Sequence, residues 1–366
     1  MKKLLIYSIF PAPYRTAVFE GLNREFELTV LFERNSDANR DPSWFVNDFQ
    51  YPCFILDNER GKEYMNNVLY GIRNFDAVGI YDYATVSAIR IIHLCKKHKI
   101  PYFLNCDGSF INRSFIKDKI KRYIIKDSSL CLASGEYAKQ YYLTYGAKSK
   151  SIVIHKFSSL LEKDIVGHPL SVFEKRKIRS ELNLPIDGKM VLTIGQFTHR
   201  KGFDVLLESW KKINNKYNLV IIGGGEDQKL YEDFIVKNAL KNVSLLGYKS
   251  KEIVFKYYKA ADLFILPTRE DIWGLVVNEA MACGTPVVTT NRCIAGLELI
   301  DNGEQGYIIA TESSDQIVIS VEKIFKDENV YRTMCENCLI RIQDYTIERM
   351  INRQLIAIND SVVRHE

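Results

Sequence analysis

The sequence predicts an α/β protein made of two doubly wound domains, each a parallel sheet covered by helices on both faces. Three observations lead there. Short apolar runs alternate with amphipathic segments from end to end, the pattern of repeated strand–helix units. The runs are apolar throughout rather than at every second residue, as strands buried on both faces require. The chain has 366 residues, more than a single core usually holds, so the alternation divides into two series.

In the first series, strands are expected at 3–9, 27–33, 76–80, 101–105, 129–133 and 151–155. Helical patterns lie between them at 14–25, 83–98, 115–126 and 135–144. The second series has strands at 190–195, 218–223, 243–247, 262–267, 286–290 and 306–309. Its helices read at 202–214, 227–239, 251–260, 275–283 and 315–326, and 328–360 is also helical. The polar stretch from Leu161 to Arg179 and the turn Pro185-Ile-Asp-Gly188 break the pattern. They place the boundary near 165–172, giving domains 1–168 and 169–345 and a last segment 346–366. Ligands of doubly wound sheets bind at the carboxyl ends of the strands, so two such domains facing each other would form a cleft.

Composition narrows the function. Hydrophobic residues make up 46% and charged residues 26%, ordinary for a soluble globular protein. Lys plus Arg is 50 against 45 Asp plus Glu. A net charge of +5 is too small to argue for nucleic acid and is compatible with an anionic ligand or membrane surface. The N-terminal run Leu4 to Phe10 is short and lacks a small-residue cleavage site, so it reads as a buried strand rather than a leader. No apolar stretch approaches the ~18 residues needed to cross a bilayer. Eight scattered cysteines suit a reducing compartment, and the expected location is cytoplasmic. Cys335 and Cys338 form one C-x-x-C within a helical stretch, which reads as packing. The six histidines show no metal-ligand spacing and no D-x-D triplet occurs, so no metal and no cofactor is expected.

The most informative segment is Pro267-Thr-Arg-Glu-Asp-Ile-Trp-Gly-Leu-Val-Val-Asn-Glu-Ala-Met-Ala-Cys-Gly-Thr-Pro286. It reads as strand end, loop, short helix and next strand. Gly274 opens the helix, Gly284 closes it, and Pro286 lies just past the stop. Asp271 falls in the loop and Glu279 in the helix. A helix N-terminus, here at Gly274 and Leu275, is a ready site for a phosphate. Carboxylates beside it accept hydrogen bonds from neutral hydroxyls. A phosphate flanked by hydroxyls describes a nucleotide sugar.

This segment resembles the carboxylate signature of glycosyltransferase family 4, whose members have the GT-B fold. The family pattern is Glu, seven residues, Glu, then a helix rich in small residues; Asp271 stands in place of the first Glu and loses one methylene of reach. The resemblance runs from about Lys189 to Tyr307 and more weakly over most of the chain. Upstream, Gly195-Gln-Phe-Thr-His-Arg-Lys-Gly202 resembles the family's phosphate loop, commonly Gly-Arg-x-x-x-x-Lys-Gly. Lys201 matches the lysine that neutralises the donor diphosphate. Gln196 occupies the arginine position, and Arg200 is a second cation arriving from another angle. The alternative for this stretch is a solvated basic start to a helix.

Further positions carry two readings each. Gly223-Gly-Gly-Glu-Asp227 borders the donor cleft in the family, or is a tight turn with Asp227 capping a helix. Tyr248, where the family holds the base, either stacks on that base or is an ordinary buried tyrosine. Asp107, in Asn105-Cys-Asp-Gly-Ser109, stands nearest to a histidine common in the family. It orients the donor sugar or the acceptor hydroxyl, or it belongs to an Asp-Gly turn. Arg15, after Phe10-Pro-Ala-Pro-Tyr, meets an anionic acceptor or is a surface arginine. Arg113 to Lys126 is basic and amphipathic, with Phe115, Ile116, Ile120, Tyr123 and Ile124 on one side. That stripe either packs on the sheet or docks on an anionic membrane.

The resemblance implies a retaining, metal-independent transferase moving a sugar from a nucleotide diphosphate, expected to be uridine-based. The acceptor would be a hydroxyl of a glycan or lipid-linked glycan in surface polysaccharide assembly. It assigns the diphosphate to Lys201 with the backbone at Gly274 and Leu275, the ribose to Glu279 and the donor sugar to Asp271. It also implies that the last helix, 346–366, crosses back onto the N-terminal domain. Two other readings stay open: a non-catalytic GT-B protein that binds a nucleotide sugar or stabilises a partner, and a sugar-nucleotide epimerase of the same fold. Gln196 and Asp271 support the first of these; Lys201 with Glu279 opposes it.

Overall fold

The computed structural model describes residues 1–36, 45, 48–213 and 216–363. Residue 214 of the expected helix 202–214 and residues 364–366 of the last segment lie outside the described residues. The chain forms two compact units, Met1–Ser159 with Tyr345–Glu366, and Leu160–Asp344.

The first unit is a seven-stranded sheet of β1 (Lys2–Ser8), β2 (Phe26–Phe32), β3 (Cys53–Ile55), β4 (Ala77–Ile80), β5 (Tyr102–Cys106), β6 (Leu130–Ala133) and β7 (Ile152–Ile154). Every pairing is parallel, in the order β3-β2-β1-β4-β5-β6-β7. The connections hold α1 (Pro13–Leu22), α2 (Glu59–Tyr70), α3 (Val86–His98), α4 (Phe115–Ile125) and α5 (Glu136–Thr144). Leu5, Tyr7, Val78, Ile80 and Leu104 pack with Ile91, Ile92 and Cys95 of α3 in its core. The strand order reverses between β1 and β4, which opens a crevice at their carboxyl ends. β3 and α2 are additions to the sequence reading. A three-residue strand carries no periodic signal, and α2 buries only Gly61, Met65 and Val68. Its start was visible in Asn58, whose side chain accepts from the Gly61 N–H at 2.8 Å.

The second unit begins with α6 (Val172–Glu181). Its six-stranded parallel sheet comprises β8 (Met190–Gln196), β9 (Asn218–Gly224), β10 (Val243–Leu246), β11 (Leu263–Leu266), β12 (Val287–Thr290) and β13 (Gly306–Ile309). The order is β10-β9-β8-β11-β12-β13, with the reversal between β8 and β11. Around it lie α7 (Phe203–Ile213), α8 (Gln228–Lys237), α9 (Lys251–Ala260), α10 (Leu275–Ala282), α11 (Ile294–Leu299), α12 (Ser314–Phe325) and α13 (Glu328–Ile342). Cys335 and Cys338 face the interior of this unit from α13.

The division falls at Ser159/Leu160, ahead of the expected 168/169. The reason is local: the Val166 N–H donates to the Ala282 carbonyl at 2.9 Å, and Pro169 packs at Gly284. The stretch read as a polar interruption, Leu161 to Arg179, runs into α6. It escaped the periodicity because its inward side chains are charged. Lys175 and Arg179, both buried, pair with Asp262 at 3.0 and 2.6 Å. Burial pushes the Asp262 carboxyl up, but these two cations outweigh it and hold it below its usual range. The Ser171–Glu174 capping box was the legible sign of a helix start.

The final helix, α14 (Ile347–Val363), belongs to the first unit and lies against α1. A Cβ on Gly21 would come within 2.6 Å of Ile351, and the Tyr81 hydroxyl donates to Gln354 at 2.6 Å. Among the described residues no helix is long and apolar enough to cross a membrane.

Candidate active site

In the second unit, the loops after β8 and β11 meet at the reversal point. The chain leaves β8 at Gln196, makes a tight turn over His199–Lys201 and enters α7 through Gly202. Gly202 has φ 68°, and a Cβ there would lie 2.2 Å from the Pro267 carbonyl oxygen, so only glycine fits. This close approach joins the loops. The Arg200 carbonyl accepts from the Arg269 N–H at 2.8 Å and from the Thr268 hydroxyl at 3.0 Å.

The joined loops bring Lys201 to Asp271. Lys201 Nζ lies 2.5 Å from Asp271 Oδ2, and each side chain is only 11% exposed. Arg200, half exposed, reaches the same oxygen at 3.8 Å and donates to the Glu270 carbonyl at 2.8 Å. Asp271 is fixed by its backbone: its N–H donates to the Arg292 carbonyl at 2.8 Å. The joined loops therefore hold Lys201 and Asp271 together as a pre-formed pair.

Gly274 opens α10 with φ 98°, where a Cβ would meet Cys293 Sγ at 2.8 Å. The N–H groups of Leu275 and Val276 precede the first bond of α10, which the Val277 N–H donates to the Gly274 carbonyl at 2.9 Å. Glu279 lies one turn further on the same face, about 6 Å along the axis. Its Oε2 accepts from the Tyr258 hydroxyl at 3.0 Å. Burial of Tyr258, reinforced by the Glu279 carboxylate, pushes that hydroxyl well above its ordinary value, so it stays a donor. Tyr258 was not singled out from the sequence.

The glycine turn after β9 is a steric necessity: a Cβ on Gly223 would lie 1.9 Å from the Gly195 carbonyl oxygen. Asp227 sits at the start of α8, but its side chain makes no capping bond and accepts from the Tyr231 hydroxyl at 3.3 Å. Tyr248 is not a buried tyrosine. It is 53% exposed, and its hydroxyl donates to the Gly224 carbonyl at 2.7 Å, which leaves the ring at the surface beside this turn.

In the first unit, a buried network occupies the reversal point. Arg15 is not a surface arginine but is buried. Its NH1 donates to Asp82 at 2.7 Å and its NH2 to Asp107 at 2.6 Å. Burial pushes the Asp82 carboxyl up, partly offset by Arg15. Asp107 also accepts from the Tyr14 hydroxyl at 3.2 Å and from Asn105 Nδ2 at 2.9 Å. At this Asp-Gly step Asp107 anchors the network. His155 is buried nearby with no hydrogen-bond partner on either ring nitrogen, and burial pushes its pKa down to about 4. Asp82 and His155 escaped the sequence reading because they belong to no local motif.

α4 also differs from the packing alternative. Ile124 and Ile125 face the core, whereas Phe115, Ile116, Ile120 and Tyr123 face solvent.

The comparisons with known proteins agree with this architecture. Residues 174–338 match the model of the family Glycosyl transferases group 1. It is 27% identical over 278 residues to an uncharacterised glycosyltransferase of Methanocaldococcus jannaschii, covering 71% of this chain and 68% of that protein. It is 25% identical over 356 residues to N,N'-diacetylbacillosaminyl-diphospho-undecaprenol alpha-1,3-N-acetylgalactosaminyltransferase of Campylobacter jejuni, covering 93% and 88%. Another relative, from Haemophilus influenzae, is matched over 52% of its length. In three dimensions the chain is similar to Anabaena HepE, solved in complex with UDP, with TM-score 0.78 and 14% identity over 98% of this chain and all of that one. That likeness shows the fold, GT-B. The family model and the names of the curated relatives point to a glycosyltransferase enzyme rather than a non-catalytic protein.

Proposed function

We propose that the chain is a retaining glycosyltransferase that works without a metal, taking a sugar from a UDP-sugar. It passes the sugar to a hydroxyl of a glycan or lipid-linked glycan in surface polysaccharide assembly. The observation that carries this reading is the Lys201–Asp271 pair beside the mouth of α10. Breaking a sugar–phosphate bond builds negative charge on the departing diphosphate, which preplaced cations and helix N–H groups stabilise. Lys201, with Arg200, Gln196 and the N–H groups at Gly274 and Leu275, is assigned to that diphosphate. Asp271, held against Lys201, is assigned to the donor sugar. Glu279, oriented by Tyr258, takes the ribose hydroxyls, and Tyr248 lies against the base. Asp107 orients the reacting sugar or the acceptor hydroxyl, and Arg15 positions Asp107.

The names of the relatives support the setting: a transferase for a diphospho-undecaprenol acceptor, and a capsular polysaccharide biosynthesis glycosyltransferase of Staphylococcus aureus. HepE supports UDP as the donor nucleotide. A thermal-shift screen over nucleotide sugars tests the donor, because a bound donor raises the melting point by mass action. Transfer from that donor under a chelator, with the product anomer read by NMR, tests the rest. Retention with an unchanged rate is expected. Inversion, or a rate lost to the chelator and restored by magnesium, would defeat the proposal.

A further inference from the structure

α4 and the residues leading into it carry an apolar face that turns outward. Ile111, Phe115, Ile116, Ile120 and Tyr123 are exposed, Phe115 by 78% and Ile116 by 71%. They are five of the 20 exposed large apolar side chains among the described residues, gathered within 13 positions. Scattered exposure needs no explanation, but a contiguous patch does. Residues 116, 120 and 123 follow helical spacing, so they line one stripe; the buried Ile124 borders it and the buried Ile125 lies on the far side.

The charges flanking the stripe indicate what covers it. Arg113, Lys117, Lys119, Lys121, Arg122 and Lys126 stand against Asp118 alone within residues 111–126. That surplus of five equals the net charge of the whole chain, +5, so the rest of the protein sums to neutral. Asp118 is itself engaged by the Ser114 N–H at 3.3 Å and by Arg113 at 3.7 Å. Lys119 Nζ lies 4.2 Å from the Phe115 ring centroid. Long cationic stems beside apolar side chains suit a boundary where hydrocarbon meets anionic headgroups. A second copy presenting the same face would oppose six cations with six. A phosphate backbone has no use for an isoleucine stripe.

We propose that this outward face of α4 docks the protein on an anionic lipid bilayer. Phe115, Ile116 and Ile120 enter the headgroup–acyl boundary, and Lys119 and Arg122 contact lipid phosphates; Tyr123, whose hydroxyl meets His93 Nδ1 at 3.0 Å and whose ring centroid lies 3.9 Å from Lys96 Nζ, borders the stripe. α4 follows the loop that leaves β5 at Asp107, so the docked face adjoins the carboxyl edge of the first sheet. A lipid-linked acceptor would meet the protein at that edge. This last consequence rests on the proposed transfer; the docking does not.

The test is sedimentation of the full chain with vesicles of phosphatidylglycerol and phosphatidylcholine in equal parts, against pure phosphatidylcholine, with no donor or acceptor present. Binding to the anionic vesicles that weakens with salt is expected. A cation near an anionic surface strengthens binding about fivefold, so Lys119→Glu with Arg122→Glu should weaken it at least about 25-fold. Ile116→Ser with Ile120→Ser should weaken it about tenfold or more, with an unchanged melting temperature. No binding above the neutral vesicles, or equal binding by both variants, would overturn the proposal. So would a dimer in sedimentation velocity that the isoleucine variant dissociates. Because the readout needs no catalysis, failure here leaves the transfer reading standing, and the reverse also holds.

Discussion

Replacing Lys201 with alanine separates structure from chemistry at the centre of the site. The substitution removes an ammonium 2.5 Å from Asp271 and leaves that carboxylate 11% exposed. Breaking a fully buried pair costs about 3–5 kcal/mol. Here Arg200 already stands 3.8 Å from the same oxygen with half its surface in water, so it can take over. The expected stability loss is therefore smaller, about 1–2 kcal/mol. In catalysis Arg200 is a poorer substitute, because it is half exposed and approaches from another angle. A preplaced group facing the developing charge contributes about 10²–10³ in kcat, equivalent to about 3–4 kcal/mol. Steady-state kinetics on a UDP-release assay should show kcat falling by that factor, with the donor KM rising less than about tenfold. Removing Asp271 as well should restore the melting temperature, because the stranded charge is gone, but not kcat. A kcat within about threefold of the parent, or a kcat recovered in the double variant, would refute the leaving-group role.

Three further outcomes follow from other parts of the molecule. Glu279→Ala should weaken donor binding by about 1.5–3 kcal/mol in calorimetry, as expected for hydroxyl bonds to a carboxylate, while Glu279→Gln loses less. Gly274→Ala should lower stability by about 1–3 kcal/mol because φ is 98° and the new Cβ meets Cys293 at 2.8 Å. Adding Cys293→Ala should recover only the steric part, as read by thermal melts. His155 has its pKa lowered from 6.5 to about 4, so the unfolded chain takes up a proton there before the folded one does. Its stabilising contribution is complete above 6.5 and is lost as pH falls toward 4, about 3 kcal/mol in denaturant titrations. A His155→Leu variant should lack that slope.

The segment from Pro267 to Pro286 was legible because its meaning is local. Gly274, Gly284 and Pro286 mark the ends of α10, and the eight-residue spacing places Asp271 and Glu279 on either side of its start. Lys201 was legible for the same reason, through the glycine that the close approach to Pro267 demands. The pairing of Lys201 with Asp271 was not, since it is created by the neighbouring of β8 and β11 in the sheet. The partners of Arg15 were hidden on the same account: Asp82 and Asp107 are 67 and 92 positions away. α6 shows a different limit. A helix anchored by buried Lys175 and Arg179 displays no apolar stripe, so hydrophobic periodicity passes over it. In α4 the stripe was seen, but periodicity does not say whether such a stripe faces the core or the outside.

The central claim is that Lys201 and the mouth of α10 jointly receive the departing diphosphate. A crystal structure of the chain with UDP tests it most directly. The account requires β-phosphate oxygens within about 3 Å of both Lys201 Nζ and the backbone N–H groups at Gly274 and Leu275. A pyrophosphate bound away from both, or reaching the protein through a divalent ion, would contradict it.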